Sequence, residues 1–207
     1  MLGGEDVKKQ EILTAAILQY SKYGYQGATM KRIADEVGIK PASIYFFFEN
    51  KETLFIAAFQ EILENHHNAM EKVLENHIHE PVNRIFSAML RGIVGHHTFH
   101  QAETSAYISL VTAPIPSIKT HIQKYMLDFD NWMLQSLESA LLKTYPSIQT
   151  IEMDSIIKQF VLLANGVFWG INIYDSDYLE EQVQAADEII QSMFLQLNRN
   201  YGHPQLK

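Results

Sequence analysis

The stretch from Thr29 to Leu54, TMKRIADEVGIKPASIYFFFENKETL, constrains the fold more than any other part of the chain. Two short helical patterns meet there across one glycine-containing turn, and a long third pattern follows. Met30, Ile33, Ala34 and Val37 fall at i, i+3, i+4 and i+7, so one apolar stripe faces a core while Lys31, Arg32, Asp35 and Glu36 stay in water. Thr29 is a favourable N-cap. Gly38 can take the left-handed conformation that ends a helix, and Lys40-Pro41 starts the next with proline where no N–H is required. Two helices joined by so tight a turn form a helix-turn-helix.

In the second of these helices Ile44 and Phe48 make an inward i, i+4 pair, which leaves Ala42, Ser43, Tyr45 and Phe47 pointing elsewhere. Small residues let a helix backbone approach another surface closely. Lys40 and Lys51 add cations and Tyr45 a hydroxyl, the groups that meet phosphates and base edges. Lys51 opens the long helix, where the positive helix end disfavours a lysine, so an external anion is the expected reason for it.

The same residues resemble the tetracycline-repressor (TetR) family of bacterial transcriptional regulators. Thr29, Ile33, Ala34, Val37, Gly38, Ile39, Tyr45, Phe48, Lys51, Glu52 and Leu54 stand at the positions of the family pattern, across about the first quarter of the chain. The resemblance implies a DNA-binding head over residues 1–52 and an effector-binding and dimerisation body over residues 53–207. It implies a homodimer, built by a four-helix bundle of the last two helices, acting as a ligand-responsive repressor on a palindromic operator. The candidate DNA-contacting residues are Thr29, Lys31, Lys40, Pro41, Ala42, Ser43, Tyr45, Phe47 and Lys51. Two departures stand out: Ala42 replaces a frequent glycine, and Phe47 replaces a frequent phosphate-binding histidine.

A net charge of -8 at first argues against nucleic acid, but its distribution does not. Residues 1–51 hold seven Lys/Arg against six Asp/Glu, and the remainder holds nine against eighteen, so the acidity lies outside the head. The absence of cysteine excludes disulfide scaffolds and thiolate metal sites. The N-terminus, Met-Leu-Gly-Gly-Glu-Asp, has no signal-peptide pattern, and a cytoplasmic protein is expected. The uncharged run from Gln159 to Tyr174 is shorter than the ~20 residues of a membrane span and reads as a buried helix.

Taken in order, the periodicity predicts an all-α chain of about nine helices. The first runs from about Asp6 to Tyr23, stopped by Gly24. With the next two it builds a three-helix head cored by Ile12, Leu13, Ile17, Ile33, Ile44 and Phe48. A long fourth helix, from about Lys51 to Asn76, joins head to body without a linker. Pro81 starts another, and Ala113-Pro114-Ile115-Pro116 marks a boundary after a short helix from Gln101 to Val111. Three long patterns complete the chain.

Gly166 and Gly170 lie one turn apart in an apolar helix and, with Ile190 and Phe194, are the candidate dimer interface. Phe86, Met89, Tyr107, Met126, Phe129, Trp132, Met133 and Phe168 are the candidate lining of a pocket for a small apolar or amphipathic effector. The competing reading is a helical metal-binding protein or enzyme using His96, His97 and His100. Two imidazoles at i, i+4 make a poor zinc site without further ligands, so no metal is expected. No cofactor motif and no catalytic elbow or phosphate loop is present in the sequence, and an enzyme is not expected.

Overall fold

The computed structural model describes residues 4–112 and 115–201. Among these the chain is nine α-helices without a strand: α1 (Gly4–Gly27), α2 (Met30–Val37), α3 (Pro41–Phe47), α4 (Lys51–His77), α5 (Val82–Phe99), α6 (Gln101–Thr112), α7 (Pro116–Thr144), α8 (Thr150–Ile173) and α9 (Ser176–Tyr201). The all-α expectation holds. Ala113 and Pro114 of the expected proline boundary lie outside the described residues, between α6 and α7.

The helices form two compact units: the chain up to His66 together with His100–Asp128, and His67–Phe99 together with Phe129 onward. Helices α4 and α7 are therefore each divided between the two.

In the first unit, α1 packs on α2 and α6, and α2 on α3. All six residues expected to core the head are buried. The core does not end with them, because Ala106 and Leu110 of α6 and Ile118 and Ile122 of α7 belong to the same apolar cluster. Tyr20 is the centre of its aromatic part, 5.4 Å from Phe55 and edge-on to Phe59 at 5.0 Å. Gly24 ends the regular run of α1 as expected, and the chain kinks there into one further turn. At φ 63° and ψ -178° it redirects the chain, and Ala28 N–H still reaches the Gly24 carbonyl at 3.0 Å.

In the second unit α5 packs against α8 and α9, and α8 against α9. Phe86 is fully buried, with the rings of Phe160 at 5.1 Å and Phe194 at 5.0 Å. Gly92 lets α5 lie close against α4, since a Cβ there would meet the Val73 side chain at 2.9 Å. A partly buried polar chain pins α5 to α9: Asn83 donates to Gln191 at 2.7 Å, Gln191 to Ser87 at 2.9 Å, and Ser87 to Asp187. Each partner satisfies the next, so Ser87 is buried without an orphaned hydroxyl.

Helix α8 departs from its expected burial. Ile156, Ile157, Phe160, Ala164, Val167 and Gly170 are buried on one side. Ile151, Leu162, Trp169 and Ile173 are exposed on the other.

Candidate nucleic-acid interface

The turn between α2 and α3 is built from both ends. Thr29 has extended backbone and its hydroxyl oxygen accepts from Arg32 N–H at 3.2 Å, capping α2. Gly38, at φ 72° and ψ 32°, ends the helix in the left-handed region, and Ile39 N–H returns to the Ala34 carbonyl at 2.9 Å. Pro41 then opens α3 at its first turn. Gln19, buried on α1, donates to Glu36 at 2.9 Å and so fixes α2 against the first helix.

Helix α3 hangs on Ile44, fully buried, and on Phe48 just beyond its end. Lys40, Pro41, Ala42, Ser43 and Tyr45 are all exposed, as is Lys31 on α2. Phe47 is a correction. It is half-buried and packs on the core of the first unit, because one residue before Phe48 it is already turned toward the body of the helix bundle. Its place on the outside is taken by Phe46, which is 75% exposed. The spacing contained that answer, since Phe46 lies at i+4 from Ala42 and i+3 from Ser43, but a run of three phenylalanines hid which one faces out.

Helix α4 starts with a reciprocal cap that the sequence reading missed. Thr53 N–H donates to Asn50 Oδ1 at 2.9 Å, and Asn50 N–H to Thr53 Oγ1 at 3.2 Å. Lys51 turns inward from this helix end. Its ammonium donates to the Tyr25 carbonyl and lies 4.3 Å from the centroid of the Tyr25 ring. Burial pushes the lysine pKa down, and burial, then Glu52, pushes the Tyr25 phenol up. The chain thus supplies an internal reason for Lys51 that the sequence did not reveal. Arg32 is likewise held over an aromatic ring, that of Tyr23, at 4.3 Å.

Away from this face, the candidate pocket residues are divided between the two units. Tyr107 and Met126 lie in the first unit, where the phenol donates to the Met126 sulfur at 3.4 Å. Phe86, Met89, Phe129, Trp132, Met133 and Phe168 lie in the second. Phe86, Met89 and Met133 are buried core, whereas Phe129 and Trp132 are half-buried beside His67, whose ring is 4.6 Å from that of Trp132. A cleft of about 310 Å³ in the first unit has other walls, among them Ile56, Gln60, Ile122 and Tyr125.

Ile190 and Phe194 are also core residues, buried against their own chain, which removes them from any surface. Gly170 is buried too, facing Tyr174 and Leu179 of the same chain at 3.3 and 3.6 Å from a built Cβ. Gly166 is exposed, with open space where its Cβ would be. The histidines do not make a one-helix pair, since α5 ends at Phe99 and α6 begins at Gln101, with His100 between them. His96 and His97 stack edge to face at 5.2 Å, and His97 meets Phe168 at 4.8 Å, while His100 is 3.4 Å from Glu103.

Residues 12–58, which carry the capped turn and its exposed helix, match the family profile described as bacterial regulatory proteins, tetR family. Over this region the chain is similar to the tetR family. It is 35% identical over 57 residues to the HTH-type transcriptional regulator RutR of Escherichia coli K12, a match spanning 28% of this chain and 27% of RutR. The chain thus spans about a quarter of the length of that relative. It is 24% identical over 157 residues to IcaR of Staphylococcus epidermidis, a negative transcriptional regulator of a biofilm operon, covering 74% of this chain and 78% of that one. Among solved structures, the fold is similar to that of the transcriptional regulator FadR from Bacillus subtilis in complex with stearoyl-CoA. The TM-score is 0.67 at 17% identity, over 87% of this chain and 96% of that one.

Proposed function

We propose that the protein is a transcriptional repressor that reads a palindromic DNA operator as a homodimer through α3 and releases it in response to a small apolar or amphipathic ligand. One observation carries the DNA reading: α3 is anchored by Ile44 and Phe48 and presents Ala42, Ser43, Tyr45 and Phe46 to the outside, with Lys40 at its start. A core has no use for such a face, whereas a major groove has a width that admits one helix. Lys31 and Lys40 supply phosphate contacts, and Thr29, Pro41 and Tyr45 border them. Under this reading residues 1–52 read DNA, the rest provides ligand response and dimerisation, and the place of action is the cytoplasm.

Repression is supported by the similarity to IcaR, whose name is that of a negative regulator. An acyl-CoA is bound by the FadR relative in fold, which supports an effector with a long apolar part. The dimer is assigned to the exposed apolar side of α8, Ile151, Leu162, Trp169 and Ile173, together with Ile189 and Leu195 of α9. Two copies related by a two-fold axis require an operator with the same symmetry.

Selection of duplexes from a random-sequence pool by the full chain tests this. Enrichment of an inverted repeat, bound by two protomers per site, is expected. A pool with no enriched sequence would remove the DNA-reading function.

A further inference from the structure

We propose that Phe46 is a specificity-determining residue that reads the C5-methyl group of thymine in the major groove. The inference rests on the DNA-reading function above and adds a base preference to it. Phe46 is 75% exposed, more than any other large apolar side chain of α1 to α4 among the described residues. Its ring is held from behind by Phe47 at 5.2 Å and 84°, and Phe47 is itself packed on the core, so the exposed ring has a fixed support.

Chemistry narrows what such a ring can meet. It offers no hydrogen bond, so it cannot hold a phosphate oxygen or distinguish donors from acceptors on a base edge. Thymine alone carries an apolar group on the major-groove edge, its methyl. On α3 the ring is flanked by Ala42 at i-4 and Ser43 at i-3, both exposed, so the backbone can come close enough for the ring to arrive at base-edge depth. Tyr45, next to Phe46 and 54% exposed, keeps a hydroxyl on a neighbouring direction for polar contacts. Base readout and backbone contact are thereby divided between adjacent aromatic residues.

The test replaces thymines of the selected duplex one at a time by deoxyuridine, which lacks only the methyl. For the wild-type chain, one thymine position per half-site should lose affinity about four-fold on replacement, the equivalent of ~0.8 kcal/mol for one buried methyl, and about sixteen-fold when both half-sites are changed. Phe46→Ala should bind thymine and deoxyuridine duplexes equally at that position, and Phe46→Tyr, which keeps the ring, should still discriminate. Circular dichroism and melting of each variant confirm folding, which an exposed position is expected to preserve. A wild-type chain that binds the duplex but ignores every deoxyuridine overturns this inference and leaves the DNA-reading function standing. Equal discrimination by Phe46→Ala does the same. A duplex that Phe46→Ala bends less than the wild type, with no deoxyuridine effect, would make the ring a wedge between base steps and likewise overturn methyl reading.

Discussion

The Lys51 ammonium sits over the Tyr25 ring, 4.3 Å from its centroid, and donates to the same residue's carbonyl. Tyr25 immediately follows the kink at Gly24, so this lysine ties the beginning of α4 to the bend that delivers the chain to α2. Lys51→Ala is expected to lower the melting temperature, by the equivalent of about 1 kcal/mol for a partly shielded cation–π contact with its hydrogen bond. It should weaken operator and random DNA alike, because the reading helix loses its support. A lysine spent on phosphate in both protomers would also reduce the slope of log affinity against log salt by about 1.8. The inward geometry predicts a slope that stays unchanged, and titrations at several salt concentrations decide between the two.

Acidic groups in the first unit give stability a pH dependence of known sign. Burial raises the Glu61 pKa, with Gln10 and Lys9 opposing and Glu103 and Glu64 reinforcing, and burial likewise raises Glu103 against the opposing effect of His100. Each carboxyl holds its proton more tightly folded than unfolded, so the folded state binds more protons in the window above the ordinary carboxylate value. Stability contributed by these groups is therefore present below that value and lost as pH rises through the raised one. Glu61→Gln is expected to stabilise the protein at pH 8 relative to wild type and to gain less at pH 5. Chemical denaturation at both pH values measures the difference, and a gain that is the same at both would contradict the assignment.

The exposed side of α8 is the proposed dimer contact. Leu162, 73% exposed, lies on it away from the unit's core, so Leu162→Arg should leave folding intact and shift sedimentation toward the monomer. Gly170→Leu would be a poor version of the same experiment, since the added side chain meets Tyr174 and Leu179 within its own chain.

Phe86 is the large side chain on which the second unit closes. Phe86→Ala should cost about 3–5 kcal/mol, because rings of Phe160 and Phe194 cannot both move into the space it leaves. Urea unfolding should show the loss as a lower midpoint.

Much of the first unit was legible in the sequence because its signals are local. A threonine cap, a left-handed glycine and a first-turn proline each act within four residues, and the structure keeps all three. What escaped were facts that depend on distant partners. The inward turn of Lys51 needs Tyr25, twenty-six positions away. The burial of Ile190 and Phe194 needs α5 and α8, and a helix with apolar residues on two sides does not say which side meets its own chain. Phe46 and Phe47 differ by one helical step, and in a run of three phenylalanines residue type gives no contrast between the one that faces out and the one that packs on the core.

The apolar cluster under the reading helix draws Ala106, Leu110, Ile118 and Ile122 from α6 and α7, more than forty positions beyond the start of α4. The head is thus not a cassette. Grafting residues 1–52, or even 1–66, onto a foreign sensor would leave the underside of α1 and α4 wet and open, and the hybrid would fail at folding before it could fail at recognition. A workable transplant of this head has to carry both of the chain segments that build its core.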